Sequence, residues 1–168
     1  MTHTIDQLMA CTPCYSYPRE RIEALLPDPF SAENVAALRI DTADRIWALI
    51  ELLDARRQRL FACDCADRAL SRVATPDPRG VAAVVVARRY ANGDATVEEL
   101  DAAWAAGCAT RTTARYAAWN AAGDAAWNAA ASAAGDAERC AAGCAAGCAE
   151  REWQLAALVT AHNCAEVA

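Results

Sequence analysis

The chain has 168 residues, a length that suits one domain, and its 45 alanines against 11 aromatic residues make most of its apolar content methyl groups. It carries 22 acidic residues against 16 basic ones, all of them arginine, which argues against a protein that binds nucleic acid through phosphate contacts. No run of 18 apolar residues predicts a membrane span, and the start MTHTIDQLMA lacks the basic and apolar regions of a secretory signal.

The nine cysteines are an odd number in a chain without a recognisable signal. A disulfide framework normally comes with an even number and few regular elements. Several of these cysteines lie among alanine and glycine, where a thiol behaves as a small hydrophobic group. We therefore expect reduced thiols and a cytoplasmic protein.

Residues 1–35 are interrupted by prolines, and we predict an irregular N-terminal arm with short helices. Thr4 is a candidate N-cap for the first of them, and Arg19–Leu26 has room for two helical turns before a proline stops it. Ser31 is a candidate N-cap for a third helix over Ala32–Ile40.

Residues 36–93 have the spacing of amphipathic helices. Asp41 or Thr42 is placed to cap a helix that runs to about Leu53, because its apolar residues recur every three or four positions. Asp54–Val73 repeats this pattern. The boundary between the two helices is weakly marked, since neither glycine nor proline separates them.

A third amphipathic helix is predicted at the break Thr75-Pro-Asp-Pro-Arg-Gly80. Asp77 followed by Pro78 is typical of an N-cap and a first helical residue, and Asn92-Gly93 is typical of a helix end. Three consecutive valines, Val84–Val86, also fit a strand, but the flanking alanines and arginines favour a helix.

Residues 94–158 are predicted as Ala-rich helices, followed by a tail over 159–168. The stretch opens with the capping box Thr96-Val-Glu-Glu and contains eight consecutive four-residue units from Asn120. Four residues turn a helix by about 400°, so the alanine columns drift by about 40° per unit. Because alanine side chains are small, they favour close packing of helix axes. We expect the long helix to break between Gly123 and Asp136.

Four cysteines are candidate ligands for a tetrahedral zinc ion: Cys11, Cys14, Cys63 and Cys65. The spacing of the first pair is that of a zinc knuckle. The spacing of the second pair is unusually tight, and residues i and i+2 of a helix point apart. Buried or loop thiols without a metal are therefore the favoured interpretation, and no cofactor is predicted.

No motif for catalysis or phosphate binding occurs in the chain, and its histidines, His3 and His162, both lie near a terminus. We therefore do not expect an enzyme. For a binding protein, Tyr15 and Tyr17 are candidate contact residues, because aromatic side chains tend to dominate interface energies; the alternative is that they cover the helical core.

The segment Arg59-Leu-Phe-Ala-Cys-Asp-Cys-Ala-Asp-Arg-Ala-Leu70 resembles the alanine-rich immunity proteins of bacterial polymorphic toxin systems, a family also found in phage and actinobacterial genomes. With its supporting segments the resemblance covers about residues 45–158. These segments are Asp77–Arg79, Ala87–Gly93, Thr96–Leu100, the Ala/Trp tetrads and Glu150–Leu155. The resemblance implies a partner-binding role without catalytic residues.

The sequence as a whole predicts a single all-α domain over residues 1–168, with short N-terminal helices, amphipathic helices and tightly packed Ala-rich helices. The function expected from the resemblance is non-catalytic binding of another protein, most simply immunity-type neutralisation of a cognate toxin. Two alternatives stay open: a phage anti-defence or host-takeover inhibitor that binds a bacterial protein, and a structural or self-assembling helical protein.

Overall fold

A computed structural model describes residues 1–72, 74–103, 105 and 136–164; within 136–146 and at 148 only the backbone is described. The regular elements of the described chain are helices and one two-stranded sheet, so the predicted all-α class is confirmed. By their contacts the residues divide into two compact units, and the single domain expected from the sequence stays a prediction. The first unit combines Met1–Gln58 with Ala149–Ala168, and the second is Arg59–Cys148.

The first unit contains four short helices and both strands. Their bounds are β1 Thr2–His3, α1 Ile5–Ala10, α2 Arg19–Leu25, β2 Phe30–Ser31, α3 Ala32–Ala36 and α4 Thr42–Glu51. Two further helices, α5 over Ala55–Leu70 and α8 over Asp136–Asn163, each begin in one unit and end in the other. The second unit also holds α6 over Pro78–Ala91 and the helical residues 97–103, which form α7.

Side-chain caps begin α1 and α3 at the residues that the sequence predicts. Thr4 accepts a hydrogen bond from the backbone N–H of Gln7, and the Gln7 side chain accepts from the backbone N–H of Thr4. Ser31 and Asn34 form the same reciprocal box at the start of α3. These bonds satisfy backbone donors that a helix leaves free at its first turn.

Residues 1–35 form part of a packed core. The two strands pair antiparallel, with His3 opposite Phe30, and the Phe30 side chain is fully buried. Leu158 and His162 of α8 are fully buried in the same unit. Helix α8 runs to Asn163, past the predicted boundary at residue 158. Its buried side chains therefore place the C-terminal segment in the same core as the N-terminal segment.

In the second unit, polar contacts join α5 to α6. Arg88 donates hydrogen bonds to Asp64 and Asp67, at 2.8 and 2.7 Å. The Arg59 guanidinium lies 4.7 Å from the centre of the Tyr90 ring. Asp77 caps α6, as predicted, and the three consecutive valines are helical.

The helix end predicted at Asn92-Gly93 is confirmed, since Gly93 has the left-handed φ of 83° that its missing side chain allows. The predicted capping box also forms at Thr96, where the hydroxyl accepts from the N–H of Glu99. The predicted break between Gly123 and Asp136, and most of the four-residue units, lie outside the described residues.

Candidate functional site

A proline-bounded turn over residues 11–18 forms one side of the candidate site. Thr12 has a left-handed φ of 52°, and the backbone N–H of Tyr17 donates to the Cys14 carbonyl at 2.9 Å. Arg21 holds the end of the turn: it donates to the Ser16 carbonyl at 2.7 Å, and its guanidinium lies 4.5 Å from the centre of the Tyr17 ring. Pro18 follows as the N-cap residue directly before α2, with a φ of −65°.

Beside this turn lies a cavity of about 460 Å³, a size typical of ligand pockets. Its walls are mainly aliphatic and aromatic and come from α1, α2, α3, α4, the α3–α4 connection and the turn. The lining residues are Leu8, Thr12, Pro13, Cys14, Tyr17, Ile22, Leu25, Leu26, Val35, Leu38, Ile40, Ala43, Asp44, Trp47 and Ala48. All of them belong to the first unit.

One short hydrogen bond marks the polar side of the cavity. The Tyr17 hydroxyl donates to Oδ2 of Asp44 at 2.6 Å. This bond, followed by burial, raises the pKa of Tyr17 above its usual value, so the phenol keeps its proton near neutral pH. Because the phenolic proton is directed at the carboxylate, both groups present lone pairs to a further partner.

The exposure of the two predicted contact tyrosines differs. Tyr15 is 97% exposed, which is unusual for a large aromatic side chain, and it projects from the turn that lines the cavity. Tyr17 is half-buried and lines the cavity itself. Sequence reasoning named both residues, but it missed Asp44 and the half-buried Trp47, which look like ordinary positions of a helix.

The structure also pairs the two histidines, which the sequence analysis had set aside. Nε2 of His162 lies 2.9 Å from the carbonyl oxygen of Leu49, and Nδ1 lies 3.0 Å from Nε2 of His3. A carbonyl only accepts, so Nε2 of His162 carries the proton, Nδ1 accepts, and His3 donates. The pKa of both rings is lowered, mainly by burial. Both histidines therefore stay neutral near pH 7.

The four zinc candidates fall into two pairs. Cys11 and Cys14 belong to the first unit, where the Cys11 thiol lies 3.7 Å from the Glu51 carbonyl oxygen. Cys63 and Cys65 belong to the second unit, where Cys63 is buried and its thiol lies 3.8 Å from the Val84 carbonyl oxygen.

Burial raises the pKa of both Cys11 and Cys63, which favours the thiol over the metal-binding thiolate. Within residues 1–72, 74–103, 105 and 136–164, no three His, Cys, Asp or Glu side chains are grouped so that they could hold a metal ion. The four-cysteine hypothesis therefore gains no support from this part of the chain.

No protein-family model, curated protein or solved structure matches this chain. Among the helices that the structure describes, none is both long enough and apolar enough to cross a membrane. The cavity of the first unit, with Tyr15 beside it, is thus the feature from which a function is argued.

Proposed function

We propose that this chain is a non-catalytic inhibitor that binds another protein through the cavity and the exposed turn of its first unit. Its simplest role is immunity-type neutralisation of a cognate toxin. The observation that carries the proposal is the fully exposed Tyr15 beside an open, largely apolar cavity. Exposed apolar patches with aromatic side chains are the usual anchors of protein interfaces.

The backbone around Tyr15 suits this role. Pro13 and Pro18 restrict the chain on either side, and Arg21 fixes the carbonyl of Ser16, so the turn is held before any partner binds. A preorganised loop loses less entropy on binding than a mobile one. The resemblance to alanine-rich immunity proteins points to the same partner-binding role.

The test is a two-gene assay followed by affinity measurement. Proteins encoded beside this gene are co-expressed with it, and the one whose toxicity it suppresses is purified and titrated with the full-length chain. We expect Tyr15→Ala to weaken the complex at least tenfold, because aromatic anchors commonly contribute 2 kcal/mol or more. Growth rescue should fall in parallel.

Val85→Ala is the matched control, since Val85 is a 53% exposed hydrophobic side chain on α6 of the second unit. This variant should bind within twofold of the unchanged chain. A complex that tolerates Tyr15→Ala but loses affinity on Val85→Ala would place the interface elsewhere and contradict the proposal. The proposal would also be contradicted if none of the proteins encoded beside this gene binds the chain.

A further inference from the structure

We infer that the cavity of the first unit receives a basic side chain of the partner protein, with its methylene stem against the apolar wall and its cationic head at Asp44 and Tyr17. The inference rests on the proposed function and names the chemistry of the partner segment. Its central observation is the combination of apolar walls with acceptor groups on one side.

The polar side of the cavity accepts hydrogen bonds and carries negative charge. Tyr17 directs its proton to Oδ2 of Asp44, which leaves the lone pairs of the phenol oxygen and of the carboxylate for an incoming donor. Within the described part of the chain, no arginine lies within ion-pair distance of Asp44. An incoming cation would therefore gain a charge-assisted hydrogen bond without displacing another ion pair.

One described cation already lies close to Tyr17. The Arg21 guanidinium lies 4.5 Å from the centre of the Tyr17 ring and donates to the Ser16 carbonyl, and neither contact involves Asp44. A lysine or arginine fits the rest of the cavity, because these side chains bury their methylene stems on apolar surface while the charged head seeks polar partners. The half-buried Trp47 also lines the cavity, and an aromatic ring is a favourable neighbour for a cation.

The charge of the whole chain agrees with this occupant. A net charge of −6, with no lysine in the sequence, attracts a basic partner and disfavours an acidic one. A second copy of this chain would bring the same negative charge to the site.

Three probes of equal length test the inference on the full-length chain: n-hexylammonium, n-hexanol and n-hexanoate, each titrated by ligand-observed NMR at one ionic strength. We expect hexylammonium to bind at least fivefold tighter than hexanol, and hexanoate to bind most weakly. Asp44→Asn, which keeps the size of the side chain, should reduce the preference for the cation to less than twofold and leave hexanol unchanged.

Asp101→Asn is the matched control, because it removes the same charge from an exposed position of α7 in the second unit. It should keep the full preference for hexylammonium. Equal binding of hexanol and hexylammonium, tighter binding of hexanoate, or a preference that survives Asp44→Asn would each overturn the inference. A dimer of the chain that depends on Asp44 in light scattering would overturn it as well.

The outcomes separate this inference from the proposed function. If a protein partner binds through Tyr15 and its affinity does not change on Asp44→Asn, the proposed function is supported. The inference that the cavity receives a basic side chain is then wrong. Selectivity for hexylammonium at Asp44, with no protein partner that depends on Tyr15, supports the chemistry of the cavity and contradicts the proposed function.

Discussion

Two histidine rings, 159 positions apart in the chain, meet in the core of the first unit. Each ring makes its hydrogen bond in the neutral form. Protonation of Nδ1 of His162 would remove the acceptor that His3 uses, and protonation of both rings would set two donors against each other. The N-terminal amine and Arg57 act with burial to disfavour the charged rings, whereas the Leu49 carbonyl and Glu33 oppose this effect at His162.

This pairing predicts that the first unit loses stability as the pH falls from 7.5 to 5.5. The pKa of each histidine is lowered by folding, so the unfolded chain binds more protons below about pH 6.5, and acid favours unfolding. A proton taken up only on unfolding costs up to about 1.4 kcal/mol per histidine at pH 5.5. Urea unfolding followed by circular dichroism measures the loss.

The double variant His3→Gln/His162→Gln is the control, because glutamine keeps an amide donor and acceptor but does not titrate. Its free energy of unfolding should be nearly constant over this pH range. Glu33, whose pKa is lowered to about 2 by hydrogen bonds from Asn163 and Ser31, titrates below the range and does not interfere. A wild-type stability that does not change between pH 7.5 and 5.5 would contradict the neutral pair.

The start of α3 offers a prediction about a single helix. Ser31→Ala removes one half of the reciprocal box with Asn34 and should lower the free energy of unfolding by about 1 kcal/mol. Ser71→Ala is the matched control, since its hydroxyl donates to the Arg68 carbonyl at the exposed end of α5. It should change stability by less than about 0.5 kcal/mol. Thermal unfolding of both variants measures these losses. Equal losses of stability in Ser31→Ala and Ser71→Ala would contradict the role of Ser31 as a cap.

Helix starts could be predicted from the sequence because caps are local. Thr4, Ser31, Asp77 and Thr96 each bond within three residues of themselves, so a short sequence pattern contains both partners. The hydroxyl or carboxylate and the N–H that it serves are neighbours in any helix that begins there.

The ends of α3 and α4 were harder to predict than the end of α6 at Asn92-Gly93, because side chains from later in the chain bond to carbonyls at these ends. Helix α3 ends at Ala36, although the sequence predicts an end at Ile40. Arg45 donates a hydrogen bond to the Ala36 carbonyl at 2.7 Å. The weakly marked boundary after α4 is fixed by Gln58, which donates to the carbonyls of Ile50 and Leu53.

The candidate site also contains some residues that the sequence alone could suggest and others that it could not. Tyr15 and Tyr17 could be named as candidates from residue type alone, and their role as contact residues stays a prediction. Asp44 lies 27 positions from its partner Tyr17, and the histidine pair joins opposite ends of the chain, so neither could be found from local spacing. Such contacts depend on the tertiary arrangement of the first unit, which a single sequence does not display.

The first unit depends on both ends of the chain. Leu155, Leu158 and His162 are buried residues of its C-terminal segment. Truncation after Cys148 removes all three, so we expect α1–α4 to lose their protection against hydrogen exchange. Truncation after Cys164 keeps these side chains and should preserve that protection. If α1–α4 stay protected in the shorter chain, the C-terminal segment is dispensable and this account of the core is wrong.

We propose that the turn and the cavity of the first unit form the surface that binds a partner protein. Hydrogen exchange of the full-length chain, with and without the partner protein that the two-gene assay identifies, tests this most directly. We predict that the partner slows exchange over residues 8–26 and 38–48, which contain most of the cavity wall and the exposed turn. Slowed exchange confined to residues 59–103, with the first unit unchanged, would contradict the account.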